Sequence, residues 1–216
     1  ILDSAKVKEI EQYYDQCEAQ GANEHQIEES QKAVAKMEAI IGDPDRLCAV
    51  AKDFIHHYET RVAEGATVAG KAMFVCMNRN IAYDLYKIIV EMRPQWSEKK
   101  ISEDETALTD KEKKELKPIE KIKLVMTRNK DDEPALYEML GTKDDRKEFD
   151  RQFKNPKSNF KIAIVVDMWL TGFDVPSLAT MYVYKPMMGY NLMQAIARVN
   201  RVFRDKEGGL VVDYVG

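Results

Sequence analysis

The side chains best suited to chemistry lie near the carboxyl terminus, where Gln194, Arg198 and Arg201 recur at intervals of four and three residues. This spacing places all three on one face of a helix. The opposite face carries an apolar stripe formed by Leu192, Ile196, Val199 and Phe203. Arginine suits phosphate because its planar guanidinium donates two parallel hydrogen bonds and stays charged. The alternative is an ordinary solvated helix surface, and the lack of an acidic partner for Arg198 four residues away argues against it.

A second candidate site is the loop that holds Thr171, Gly172 and Asp174. The threonine hydroxyl and the open glycine backbone could donate to a phosphate, and the carboxylate of Asp174 could accept from a ribose hydroxyl. The alternative is a loop that only closes a strand, with Trp169 and Phe173 packed in the core. Taken alone, the Thr-Gly pair favours this alternative.

The elements that must position these side chains follow from the apolar pattern after residue 71. Five short runs are continuously apolar, which is typical of parallel strands covered on both faces. They are Ala72–Met77, Ile122–Met126, Ile162–Val166, Met181–Tyr184 and Leu210–Tyr214. Because helical patterns alternate with them, the sequence predicts an α/β fold with a parallel sheet flanked by helices. Ligands of such sheets bind outside the carboxyl ends of the strands, where both candidate sites lie.

The region before the first strand is predicted to be helical. Asp43 and Pro44 form a strong helix start, an N-cap followed by proline at the first helical position. An apolar stripe at helical spacing follows, formed by Leu47, Val50, Ala51, Phe54, Ile55 and Tyr58. We therefore expect a helical segment at residues 1–65 and a sheet-containing domain at residues 66–216.

Capping signals predict where the helices between the strands begin. Asn78 is expected to cap the helix after the first strand, and Thr142 with Asp145 is expected to form a capping box. Residues 97–118 differ from their surroundings, since 13 of these 22 residues are charged. They predict a solvated, partly helical insertion, to which no function is assigned.

Charge is unevenly distributed along the chain. The formal net charge is −4, of which residues 151–216 contribute +4 (nine Lys/Arg against five Asp/Glu) and residues 1–150 contribute −8. A polyanionic partner is therefore expected to meet the carboxyl-terminal part. Ordinary surface charge is the alternative, and the count by itself favours it.

Several classes of protein are disfavoured by what the sequence lacks. No apolar run is long enough to span a membrane, and no secretion signal is visible. The three dispersed cysteines favour a reducing cytoplasm over a disulfide framework. The His56-His57 pair points in divergent directions on a helix, so no metal site is predicted. Phosphate-loop, dinucleotide-binding and Gly-x-Ser-x-Gly motifs are missing. Since the chain also begins without methionine, we expect a piece of a longer polypeptide.

Three segments together resemble the second RecA-like lobe of superfamily-2 helicases and, more narrowly, the motor (R) subunit of type I restriction enzymes. One is similar to motif V and reads Ile164-Val165-Val166-Asp167-Met168-Trp169-Leu170-Thr171-Gly172-Phe173-Asp174-Val175-Pro176. Another is similar to motif VI and reads Gln194-Ala195-Ile196-Ala197-Arg198-Val199-Asn200-Arg201-Val202-Phe203. The third segment is similar to motif IV and reads Lys71-Ala72-Met73-Phe74-Val75-Cys76-Met77-Asn78-Arg79. The resemblance covers residues 44–216 and is most specific over residues 161–216.

The resemblance implies a role for each candidate residue. In the motif VI segment, Arg201 would be the arginine finger that reaches the γ-phosphate, Arg198 would be a second phosphate contact, and Gln194 would orient nucleotide or water. The resemblance implies that residues of the other two motifs contact either DNA or the nucleotide. The DNA-backbone contacts are Thr171, Asn78 and Arg79, with Gly172 between the DNA and the nucleotide cleft and Asp174 near the nucleotide sugar.

The same resemblance implies an ATP-dependent translocase of double-stranded DNA in a bacterial or archaeal cytoplasm. ATP and Mg²⁺ would be bound mainly by a first RecA-like lobe outside this segment, and DNA would be cut by a nuclease domain also outside it. Methylation and specificity subunits would be the partners, and the segment alone would not hydrolyse ATP. Two alternatives stay open, namely the second lobe of another superfamily-2 DNA or RNA helicase and a non-catalytic docking module.

Overall fold

A computed structural model describes residues 24–170, 172–187, 189–205 and 208–215. The chain divides into two compact units, residues 1–43 and residues 44–216. In the first unit, the described part is helix α1 (Glu24–Ile41) and the short turn that follows it. The second unit contains the sheet and the remaining helices.

The second unit alternates strands with helices. The strands are β1 (Lys71–Cys76), β2 (Lys99–Lys100), β3 (Ile119–Glu120), β4 (Ile122–Val125), β5 (Ile162–Val165), β6 (Leu178–Tyr184) and β7 (Leu210–Asp213). The helices are α2 (Pro44–Ala63), α3 (Arg79–Met92), α4 (Asp110–Glu115), α5 (Pro134–Leu140), α6 (Lys143–Lys154) and α7 (Gly189–Val199), with short 3-10 helices at Pro94–Ser97 and Glu105–Ala107. All five predicted strands are present, and β6 begins earlier than expected.

The sheet confirms the predicted α/β fold. Its strand order is β4-β5-β1-β6-β7, and each neighbouring pair is parallel. In the register, Phe74 of β1 lies between Ile164 of β5 and Tyr182 of β6. Strands β1, β4, β5 and β6 are buried along their whole length, as expected for strands covered on both faces. Because the five strands are parallel, their carboxyl ends share one edge, called here the carboxyl edge.

Helix α2 covers one face of the sheet through the predicted apolar stripe. It begins at Pro44, as expected, and its buried residues are Leu47, Val50, Ala51, Phe54, Ile55 and Tyr58. Phe54 makes edge contacts with Phe74 and Tyr182, with ring centroids 5.1 and 4.7 Å away. The Nδ1 atom of His57 also lies 2.8 Å from the hydroxyl of Tyr182. Edge-to-face aromatic pairs and this hydrogen bond hold the helix on the sheet.

The predicted caps are confirmed, whereas the charged insertion is only partly solvated. The side chain of Asn78 accepts from the backbone N–H of Ile81 at 2.9 Å. Thr142 and Asp145 form the complete capping box of α6, whose C-cap is Asn155. Within residues 97–118, the short strands β2 and β3 pair antiparallel, and Leu108 and Leu116 are buried. These two apolar side chains anchor a segment that composition alone had placed in solvent.

Candidate functional site

Most of the candidate side chains lie at the carboxyl edge of the sheet. Asn78 and Arg79 follow β1, and Asp174 lies in the loop of residues 166–177 that follows β5. Gln194 and Arg198 are on α7, which follows β6. The parallel topology brings these segments, far apart in sequence, to one edge.

The loop after β5 is held by its aromatic side chains. The rings of Trp169 and Phe173 stack with centroids 4.2 Å apart and an interplanar angle of 5°, and Phe153 of α6 stacks on Trp169 at 5.3 Å. Trp169 is buried although its backbone has φ 67°, a conformation that residues other than glycine rarely adopt. Core packing by Trp169 and Phe173, the alternative offered by the sequence, is thus confirmed for these two side chains.

The polar part of the same loop faces away from this packing. Gly172 has φ 70°, and a Cβ built there would have no other atom within 4 Å. Its backbone is therefore open to a ligand, and its left-handed conformation favours glycine. Asp174 is also exposed, and Thr171 lies outside the described residues. The loop combines a buried aromatic anchor with an exposed polar rim.

Arg198 connects helix α7 to this loop. Its Nε–H donates to the carbonyl oxygen of Leu170 at 2.6 Å, and an Nη1–H donates to the carbonyl oxygen of Phe173. Burial lowers the pKa of Arg198, as does the nearby Arg201, while Asp174 raises it. Helix α7 is itself fixed by Ala195 and Val199, which are both buried. The expected role of Arg198 as a phosphate contact stays a prediction.

Arg201 lies outside the helix, contrary to the expected single polar face. Helix α7 ends at Val199, and the side chain of Asn200 accepts from the backbone N–H of Gly209 at 3.3 Å. The contact links the end of the helix to the segment before β7, and Arg201, beyond the last helical residue, does not continue the row of Gln194 and Arg198. The expected apolar stripe is shortened as well: Leu192, Ile196 and Val199 lie on α7 and are at least partly buried, whereas Phe203 lies past the end of the helix.

Arg201 instead lies near the loop after β5. Its Nε atom is 3.6 Å from Oδ1 of Asp174, and the two side chains are 59% and 57% exposed. An exposed guanidinium carries the charge and the donors that phosphate oxygens require. Gln194 is half-buried on α7, one turn before Arg198.

Arg79 is engaged inside the protein. Its guanidinium pairs with both carboxylate oxygens of Asp132 at 2.5 and 2.7 Å and donates to the carbonyl oxygen of Thr127. The two side chains of the pair are only 15% and 8% exposed. Asn78 serves as the N-cap of α3. Contacts of Arg79 and Asn78 with DNA therefore stay predictions, and a contact by Arg79 would compete with Asp132.

Lys185 is a basic residue of this edge that the sequence did not single out. It follows β6 directly, and its Nζ donates to Oδ1 of Asp167 at 2.9 Å and to the carbonyl oxygen of Val166 at 3.4 Å. Its side chain is 19% exposed, whereas that of Asp167 is 76% exposed. The sequence feature that could have identified Lys185 is its position at the carboxyl end of a buried strand.

Metal and membrane features can be tested over the described ranges. There, no group of three or more His, Cys, Asp and Glu side chains could hold a metal ion. Within those same ranges, no helix combines the length and the apolar character needed to cross a membrane. The exposed guanidinium of Arg201 offers donors that fit the oxygens of a phosphate group.

Comparison with known proteins gives a consistent set of relatives. A family model described as "Type I restriction enzyme subunit R domain 3" matches residues 1–216. The type I restriction enzyme HindI endonuclease subunit of Haemophilus influenzae is 41% identical over 192 residues, which is 88% of this chain and 16% of that protein. The putative type I restriction enzyme MjaIXP endonuclease subunit of Methanocaldococcus jannaschii is 41% identical over 209 residues, 96% of this chain and 18% of that protein.

The chain therefore spans less than a fifth of the length of either relative. Among solved structures, the crystal structure of T4 UvsW is similar over 89% of this chain and 28% of that one, with 12% identity and a TM-score of 0.48.

Proposed function

Because this chain belongs to the type I restriction enzyme subunit R domain 3 family, we propose that it acts within the motor subunit of such an enzyme. In this proposal, residues 66–216 form the second RecA-like lobe of an ATP-dependent translocase of double-stranded DNA. Helix α2 packs on this lobe through Phe54 and His57. The observation that carries the proposal is the meeting of an exposed arginine, Arg201, with the open loop of Gly172 and Asp174 at the carboxyl edge.

Arg201 is proposed as the arginine finger. A guanidinium directed at the γ-phosphate stabilises charge that develops on the phosphate oxygens in the transition state. Its pairing with Asp174 is exposed and therefore weak, so phosphate oxygens can compete with this carboxylate for the guanidinium. Asp174 is then available to accept from the sugar hydroxyl of the nucleotide, and Gln194 would orient nucleotide or water.

DNA would be contacted through its backbone rather than its bases. The open N–H of Gly172 and the hydroxyl of Thr171 are the proposed donors to phosphate, with Asn78 and Arg79 as further contacts. Lys185 lies under the same loop and adds positive charge there. A local set of donors suffices for such binding, since phosphate contacts are independent of sequence and of the net charge of the domain.

The remaining parts of the activity would come from outside these residues. ATP with Mg²⁺ would be held mainly by a first RecA-like lobe of the same polypeptide, and bound ATP supplies the phosphate that Arg201 contacts. DNA cleavage would belong to a separate nuclease domain. Methylation and specificity subunits would complete the complex in a bacterial or archaeal cytoplasm, and the segment alone would not hydrolyse ATP.

The test is the replacement of Arg201 by Ala in the full-length subunit assembled with its partner subunits. We expect the turnover number of DNA-stimulated ATP hydrolysis to fall by roughly 10³-fold, the loss typical of a missing arginine finger. Steady-state hydrolysis with saturating duplex DNA measures it.

Arg204→Ala provides the matched control, because Arg204 is an exposed arginine nearby whose guanidinium lies over the Phe203 ring. This variant should hydrolyse ATP at the wild-type rate. Undiminished turnover in the Arg201→Ala enzyme, with folding and assembly intact, would refute the assignment of the finger.

A further inference from the structure

The guanidinium of Arg198 brackets the exposed turn of the loop after β5. Its two hydrogen bonds reach the carbonyl oxygens of Leu170 and Phe173, and the residues between those carbonyls are Thr171 and Gly172. The arginine therefore holds the loop at both sides of the dipeptide proposed to contact DNA. Its position on the helix is fixed, since the next residue, Val199, is fully buried.

We infer that Arg198 is a positioning residue, which fastens the loop of residues 166–177 to helix α7 so that the two move as one body. This inference rests on the proposed function and deepens it. Asp174 follows Phe173 directly, and Arg201 lies three residues beyond Arg198. A displacement of the loop by DNA is thereby transmitted to Arg201 at the nucleotide side.

The geometry explains why the residue is arginine. The Nε–H and Nη1–H groups of a guanidinium lie in one rigid plane and point in two fixed directions, so a single side chain can donate to two carbonyl oxygens. A lysine ammonium is a point donor on a flexible stem and does not hold both carbonyls with the same orientation. The carbonyls of Leu170 and Phe173 lie where the loop turns against the core, and each loses a charge-assisted hydrogen bond if Arg198 is removed.

Arg198 and Arg201 also differ in exposure and in hydrogen bonding, which assigns them different roles. Arg198 is half-buried and has two N–H groups committed to the backbone, whereas the side chain of Arg201 is 59% exposed beside Asp174. A direct phosphate contact by Arg198 would have to use its remaining Nη donors, with the plane of the guanidinium set by the loop. The structure thus assigns anchoring to Arg198 and leaves the phosphate to Arg201.

The first experiment observes the loop itself. Residues 1–216 contain two tryptophans, Trp169 in the loop and Trp96 in a 3-10 helix outside it. Fluorotryptophan labelling of the full-length subunit, with each ¹⁹F NMR signal assigned by the matching Trp→Phe variant, reports on both places. In Arg198→Lys and Arg198→Ala, we expect the Trp169 signal to shift or broaden while the Trp96 signal keeps its position. In Arg201→Ala both signals should stay unchanged.

An unchanged Trp169 signal in the Arg198 variants would overturn the inference, whatever the enzyme does. If the alanine variant loses both signals through unfolding, the lysine variant decides, because it conserves the charge and most of the bulk.

The second experiment separates positioning from phosphate contact in the full-length subunit within its complex. For a positioning residue, Arg198→Lys should leave the Kd for ATP without DNA within about twofold, while the DNA concentration for half-maximal stimulation rises roughly tenfold, the effect of losing a charge-assisted hydrogen bond. Weakened ATP binding that lysine restores relative to alanine would instead identify a phosphate contact and overturn the inference. If the wild-type complex shows no DNA-stimulated hydrolysis, the proposed function fails, and the ¹⁹F result still decides whether Arg198 holds the loop.

Discussion

The Nε atom of Arg201 lies 3.6 Å from Oδ1 of Asp174, and both side chains are more than half exposed. Near the same edge of the sheet, Arg79 and Asp132 form a shorter pair, 2.5 Å apart, that is 15% and 8% exposed. Water and salt screen the first pair but not the second. The contact between Arg201 and Asp174 is thus open to competition from a ligand, whereas the pair of Arg79 and Asp132 stabilises the fold.

Replacement of Asp174 by Asn should leave the stability of the chain nearly unchanged. An exposed ion pair contributes about 0–1 kcal/mol, which corresponds to a shift in Tm of less than about 4 °C for a domain of this size. Thermal unfolding followed by circular dichroism measures it. A larger fall in Tm would mean that the pair has a structural role that its exposure does not indicate.

Replacement of Asp132 by Ala should destabilise the chain strongly. The change leaves the buried guanidinium of Arg79 without its carboxylate and removes the acceptor for the N–H of Asn129. Removal of one partner of a buried pair costs about 3–5 kcal/mol. Chemical denaturation measures this, and the double variant Arg79→Ala/Asp132→Ala is the control. The double variant should lose less stability than the sum of the single variants, and strict additivity would contradict the coupling of the two residues.

The packing of Trp169 should contribute strongly to the stability of the loop after β5. Its ring stacks on Phe173 and Phe153, so Trp169→Ala should lower the free energy of unfolding by about 3–5 kcal/mol. Trp169→Phe keeps an aromatic ring and should cost roughly half as much or less. Equal losses in the two variants, measured by urea denaturation, would indicate that the stacked ring is not what stabilises the loop.

Acidification should destabilise the contact between α2 and the sheet. Burial lowers the pKa of His57 below its usual value of 6.5, Arg61 lowers it further, and Asp53 raises it. The folded state therefore binds a proton less readily than the unfolded state, so the contribution of His57 is complete above pH 6.5 and is lost as pH falls through the lower folded-state value. His57→Gln, which keeps a polar side chain, should flatten this part of the profile of Tm against pH. Identical acid profiles for the two proteins would contradict the expectation.

Local patterns in the sequence were sufficient for the elements. The Asp43-Pro44 start and the apolar stripe of α2 were predicted correctly because a helix is specified by neighbours within one or two turns. The buried strands, the cap at Asn78 and the box at Thr142 follow from equally local rules. Placement of the candidate residues at the carboxyl edge then followed from parallel topology alone.

Long-range contacts decided the rest. Helix α7 ends at Val199, and the next residue, Asn200, contacts Gly209 of a later segment, a contact that helical periodicity does not contain. Arg79 is paired with a carboxylate 53 residues away. The hydrogen bonds of Arg198 to the loop join residues 25 and 28 positions apart. The sequence by itself therefore determined the five sheet strands, the helix starts and the chemical types present. Only the tertiary structure decided where α7 ends, which arginine anchors the loop and which is exposed, because the direction of a long side chain depends on partners distant along the chain.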